Sequence, residues 1–202
     1  MRTMSRRIEV AAVMVAAVAL GACKARDEGA AGTADTTAAR RTDTAGAAAS
    51  GGWTDGAIVA FTTTADGAEI REGQLAQSKA TDPAVKAFAQ QMVSDHGNMV
   101  VEGKALAARL NITPDATRKD LRDLAKDTDD EINDLTNKPA GADWDKNYID
   151  KEIDGHKKVL DKLQDAAKNT NNAQLRTALE KATSKVQEHL TKAQDIKAKL
   201  SK

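Results

Sequence analysis

The chain has 202 residues, and its 30 basic and 30 acidic side chains balance to zero net charge. That balance argues against a nucleic-acid partner, which calls for a basic excess or patch. Aromatic residues make up only 2% of the chain, so a core must rest on Ala, Leu, Val, Ile and Met, and the single cysteine excludes an internal disulfide.

Residues 1–22 read as a signal peptide. Arg2, Arg6 and Arg7 form a basic start, and "VAAVMVAAVAL" (Val10 to Leu20) is an apolar run too short to span a bilayer comfortably. "LGAC" (Leu20 to Cys23) resembles a bacterial lipobox, which implies that Cys23 is the lipidated first residue of a mature lipoprotein. The alternative is an ordinary signal with a chance cysteine. Ser5-Arg6-Arg7 hints at a twin-arginine signal, but Glu9 stands where that motif wants an apolar residue. Two or more acyl chains anchor stably where one anchors marginally. The expected location is therefore the bacterial cell envelope, with the membrane as partner through the lipid. Within the lipoprotein class, Lys24 in place of Asp after the cysteine implies the periplasmic face of the outer membrane in a Gram-negative host.

Residues 23–54 read as the lipidated cysteine and a disordered tether. "KARDEGAAGTADTTAARRTDTAGAAASGG" contains no Leu, Ile, Val, Phe or Met and cannot bury enough apolar surface to offset the entropy of ordering. About 30 flexible residues have a typical end-to-end distance on the order of 30 Å.

Residues 55–202 are long enough for one domain. Five helical segments and no strand are expected. The first runs from Asp55 to Lys79. Thr81-Asp82-Pro83 restarts the chain with a cap residue and Pro at the first helical position, opening a second helix to Leu110. Gly97 and Gly103 weaken this helix locally and could serve close packing or a bend. Thr113-Pro114 repeats the start signal for a third helix, to Asn137, with Leu121, Leu124, Thr128, Ile132 and Leu135 as its stripe. Asp143 is a candidate cap for a fourth helix to Lys168, and "NTNN" (Asn169 to Asn172) turns into a fifth helix from Ala173 to Leu200. Short connections between long helices favour antiparallel neighbours. The expected fold is all-α: a four-helix bundle of two antiparallel hairpins with a connecting helix.

The three histidines fall on apolar stripes. His96 is in phase with Met92 and Met99, His156 with Ile149, Ile153, Leu160 and Leu163, and His189 with Val186 and Ala193. The first helix has no His, but its stripe passes through Glu72 and close to Glu69. Burying unpaired charge costs several kcal/mol, so such groups pair or bind metal. Glu69, Glu72, His96, His156 and His189 are therefore candidate ligands for one metal ion (Fe, Mn, Zn or Cu), with Asp95 and Glu152 as supporting groups. The Glu-x-x-His signature of di-iron bundles is absent: Val93, Ile153 and Val186 stand three residues before the histidines. Met92 and Met99 would suit copper, but gap-filling in the core accounts for them as well. Without a metal, the same residues would form a hydrogen-bond network in a structural or interaction protein. Charging the buried histidines below about pH 6 would then cost stability. No Gly-rich phosphate loop or nucleophile elbow points to an enzyme.

"ADGAEIREGQLAQSKATDPAVKAFAQQMVSDHGNMVVEGKALAARLNI", "WDKNYIDKEIDGHKKVLDKL" and "LRTALEKATSKVQEHLTKAQDI" resemble the bacterial envelope family known as domain of unknown function 4142. The resemblance covers about residues 55–200. It implies a ferritin-like helical bundle, often exported or lipid-anchored, with no activity attached. Glu69, Asp95, His96, His156, His189 and the Trp144-Asp145-x-x-Tyr148 start of the fourth helix match the family's recurring positions. Gly155 departs from the pattern, in which a polar residue commonly precedes this His.

Overall fold

The computed structural model describes residues 52–202. The signal-like segment 1–22, Cys23 and the tether to residue 51 lie outside the described residues. Among the described residues the chain is all-helical: α1 (Asp55–Lys79), α2 (Pro83–Leu110), α3 (Lys119–Asn137), α4 (Ala142–Asn169) and α5 (Ala173–Leu200). No described helix is long and apolar enough to cross a membrane. The two most extensive helix pairings are α1 with α2 and α4 with α5. Because a short turn joins each pair, the partners run antiparallel. α2 packs on α5 and α1 on α4, and α3 lies on α1.

Helix ends follow local chemistry in most places. Thr54 caps α1 by accepting from the Ala57 amide at 3.1 Å. Asp82 caps α2 by accepting from Ala84 and Val85, with Pro83 at its first turn. Asn172 caps α5 by accepting from Gln174 and Leu175. α2 ends on Asn111 in the left-handed region (φ 54°), which Asn tolerates better than most residues.

Three local expectations are corrected. α3 begins at Lys119, not after Thr113-Pro114. The backbone there is recruited elsewhere: the Asp115 amide donates to the Gly56 carbonyl at 2.9 Å, and Asp115 Oδ1 accepts from the Thr117 amide. A Cβ on Gly56 would stand 2.6 Å from the Thr113 carbonyl oxygen, so this crossing requires glycine. At α4 the cap position is Gly141 (φ +146°), and Asp143 falls in the first turn. Trp53, expected in the tether, is buried; its Nε1 donates to Asp165 at 2.7 Å and its ring packs on Phe61. The helix-two glycines serve no close packing. A Cβ on Gly97 or Gly103 would meet nothing within 4 Å, whereas one on Gly73 would lie 2.9 Å from Val93, at the real α1–α2 approach.

Two polar anchors set the helices against one another. Lys79, at the end of α1, donates to the carbonyls of Leu135, Thr136 and Lys138 and so places a cation on the C-terminus of α3. Asp145, on the first turn of α4 and fully buried, accepts from the Thr81 amide (2.9 Å), the Thr81 hydroxyl (2.6 Å) and the Asp82 amide (2.8 Å). It thereby ties α4 to the α1–α2 turn. Beside it, Trp144 stacks on Tyr148 with ring centroids 5.6 Å apart, Trp144 Nε1 donates to the Leu135 carbonyl at 2.8 Å, and Tyr148 meets Phe88 edge-on. Asp145→Ala strands three donors and should lower unfolding free energy by about 3 kcal/mol, read from the urea midpoint; Asp145→Asn, which keeps one acceptor, should cost less.

Candidate metal centre

All three histidines are buried, and their rings meet near the midpoints of α2, α4 and α5. Ring centroids are 5.9 Å apart for His96–His156, 5.1 Å for His96–His189 and 5.6 Å for His156–His189. One ring nitrogen of each lies within 4.8 Å of those of the other two.

Each ring has one nitrogen bonded outward. His96 Nδ1 lies 2.8 Å from Asp66 Oδ1, His156 Nδ1 lies 2.8 Å from the Glu152 carbonyl one turn back on its own helix, and His189 Nε2 lies 2.8 Å from Asp95 Oδ2. The opposite nitrogens, His96 Nε2, His156 Nε2 and His189 Nδ1, are buried and have no hydrogen-bond partner. The Glu152 carbonyl and the Asp95 carboxylate can only accept, so His156 and His189 donate outward and keep a free lone pair inward, and His96 does the same when Asp66 is ionised. This is the arrangement that orients imidazoles toward a metal.

α1 supplies the acids. Asp66, Glu69 and Glu72 are all buried. A three-residue step falls about 60° short of a full helical turn, so the three side chains fan across successive neighbours. Asp66 reaches His96 on α2, and Glu69 Oε1 lies 3.7 Å from His156 Nδ1 on α4. Glu72 stands beside Glu152 and Glu131, outside the groups whose ligand atoms converge. On α4, Glu152 is completely buried, with Oε2 3.5 Å from His156 Nδ1, so it is a member of the cluster and not only a support for it. Asp95, partly exposed, orients His189 as a flanking group, and Gln91 donates to it at 3.2 Å.

Asp66 is the residue that the sequence reading passed over. It and His96 stand at equal distances on either side of Thr81, thirty residues apart, so the hairpin brings them to one level. The usable signal was the Asp-x-x-Glu-x-x-Glu spacing, which keeps acids near one side of a helix for two turns.

Burial controls the charge states. It pushes His156 down to about 3, helped by the neighbouring His96 and His189. It also lowers His189, against the opposing hydrogen bond to Asp95. Both rings are therefore neutral near pH 7, the form that ligates metal. Burial raises Asp66, and raises Glu69 and Glu152 well above the carboxylate range, each of these two aided by a neighbouring carboxylate; Glu72 is pushed up to about 9 by burial and then by Glu152. Tyr148 is raised in the same way, by burial and then by Glu152. Asp95 moves the other way: burial pulls it up, but the hydrogen bonds from His189 and Gln91 outweigh that.

A cavity of about 20 Å³, room for about one water molecule, adjoins His96, His156, Asp66 and Glu69, with Phe61 and Met99 among its apolar walls. A larger cleft of about 720 Å³ runs between α1, α2 and α5 and reaches Asp66 and Asp95. The centre is thus enclosed apart from this small cavity, and the larger cleft reaches the two carboxylates that hold His96 and His189.

These features define an all-helical protein with a histidine–carboxylate cluster buried between its helices. Residues 38–196 match the family described as Domain of unknown function (DUF4142), and the chain belongs to that family. No curated protein and no solved structure matches it.

The charge states give an unusual stability profile for the metal-free protein. His156, ordinarily near 6.5, has a lowered folded value, so its contribution is present above 6.5 and is lost as pH falls toward about 3. Glu72, ordinarily near 4.5, has a raised folded value, so its contribution is present below 4.5 and is lost as pH rises toward about 9. Between 4.5 and 6.5 the two slopes oppose each other. Thermal melts across pH 3 to 9 should therefore peak in that window and fall on both sides, and Glu72→Gln should flatten the alkaline limb.

Proposed function

We propose that this protein binds a transition-metal ion through His96, His156 and His189 at the centre of a ferritin-like four-helix bundle, and that lipidated Cys23 anchors it to the bacterial envelope. The observation that carries the metal reading is the set of three buried, unpartnered ring nitrogens, each on a ring whose other nitrogen is already bonded. Three imidazoles suit Zn, Cu or Fe and leave a further coordination position open. The small cavity beside His96 and His156 offers a place for one water or small ligand there. The envelope reading rests on the basic start, the apolar run and the "LGAC" of residues 20–23, with the membrane as partner and, in a Gram-negative host, the periplasmic face of the outer membrane.

The full chain, stripped by chelator, should take up one tightly held equivalent of Zn2+, Cu2+ or Fe2+ by elemental analysis, with a raised melting temperature. At a hundredfold excess over Kd the gain is about 2.7 kcal/mol. His96→Ala combined with His189→Ala should abolish the shift. Asp66→Ala, which removes the group that orients the His96 ring, should weaken affinity by about 10- to 100-fold. A protein that stays metal-free with no melting shift would make the histidines packing elements of a structural or interaction protein.

Anchoring has its own test. Cys23→Ser should move the expressed protein from the membrane pellet to the soluble fraction and abolish palmitate labelling; an unchanged distribution would reject the lipid anchor.

A further inference from the structure

The three-histidine position leaves a second group of buried polar atoms unexplained. Both carboxylate oxygens of Glu152, Glu69 Oε2 and the Tyr148 hydroxyl are buried with no partner at full hydrogen-bond geometry, and Glu152 lies close enough to Glu69 and Tyr148 to interact with both. Glu69, Glu152 and His156 offer ligand atoms within 4.8 Å of one another. His156 Nδ1 already donates to the Glu152 carbonyl, so the atoms free to bind on this side are oxygens. No lysine or arginine is bonded to either glutamate among the described residues; the nearby Lys151 is paired with Glu131.

We propose that Glu69 and Glu152, with Glu72 and Tyr148 beside them, form a second cation position next to the three histidines, selective for a hard divalent ion such as Mn2+ or Mg2+. An all-oxygen set favours hard cations, as the imidazole set favours borderline ones. Two carboxylates balance the charge of one dication. Each acid gives its proton to solvent as the cation takes its place, and no redox step is involved. Oxygens about 2.1 Å from a small octahedral ion stand about 3 Å apart on adjacent corners, and the two glutamates already offer oxygens within 4.8 Å of each other.

The position is distinct from the three-histidine one, and the test separates the two. The full chain is stripped of metal, loaded with one equivalent of Zn2+ and titrated with Mn2+, following loss of the free-ion electron paramagnetic resonance signal. One further equivalent should bind. Glu152→Gln should weaken Mn2+ at least tenfold while the zinc equivalent stays, with helicity by circular dichroism checking the fold. Glu69→Gln is the second variant should the first lose helicity. In His96→Ala/His189→Ala, zinc should be lost and Mn2+ retained. Mn2+ binding with no zinc binding in the parent chain would leave this position standing and remove the three-histidine one. No Mn2+ uptake after zinc, uptake unchanged in Glu152→Gln (ions on surface acids), or loss of Mn2+ in the folded double histidine variant would each overturn the proposal.

Discussion

The constraint on which this structure depends is the desolvation of ionisable groups at the centre of a small helical bundle. Three histidines and four acids, Asp66, Glu69, Glu72 and Glu152, are withdrawn from water between helices with few aromatic side chains. Nothing in an apolar core compensates a lone charge at that depth. The groups must therefore be neutral, bonded to one another, or bound to a cation. The observed geometry uses the first two routes on the outward side of each ring and leaves the inward side free for the third. Metal uptake would be coupled to proton release, because burial and neighbouring carboxylates together favour the protonated form of Glu69 and Glu152.

Each helix has a separable task in building the site. α1 contributes only acids, and its three-residue spacing spreads them over three neighbours. α2 contributes His96 and, one position away, Asp95, which reaches across to His189 on α5. One dipeptide thus supplies an inward ring and the group that orients the ring opposite. α4 contributes Glu152 and His156 one turn apart, and the His156 ring is set by its own helix backbone. Its outward bond lies within one helix, whereas those of His96 and His189 cross between helices.

Much of the architecture was legible in the sequence because its signals were local. Asp82-Pro83 announces a helix whichever neighbours it meets, and the histidines declared their burial by phase with Met92, Ile153 and Val186. Thr113-Pro114 misled because a non-local contact, the backbone crossing at Gly56, claimed residues that carry a helix-start signal. Asp66 escaped for a related reason. The apolar stripe of α1 runs through Ala65, and the Asp-x-x-Glu-x-x-Glu spacing beside it marks an acidic side of the helix without telling a buried acid from a solvated one. Only the hairpin geometry about Thr81 makes Asp66 the partner of His96. Trp53 likewise reads as tether by its neighbours Gly51 and Gly52, and its burial depends on Phe61 and Asp165.

The Trp144-Asp145-x-x-Tyr148 start of α4 gains a physical meaning in this frame. Asp145, Tyr148, Glu152 and His156 follow one another at steps of three, four and four, so they share one buried stripe. The first of them fixes the stripe to the α1–α2 turn through three hydrogen bonds. The last two carry the donor atoms that face Glu69 and the other histidines. Register between α4 and the α1–α2 hairpin is therefore set about two to three helical turns from the chemistry. A slip of α4 by one residue would shift Glu152 and His156 by about 1.5 Å along the axis and about 100° around it. That would turn both away from α1 at once. Asp145 is thus a positioning residue for the whole centre, although it touches none of the candidate ligands, and its burial beside the turn is what makes a stripe of ordinary helical spacing into a site.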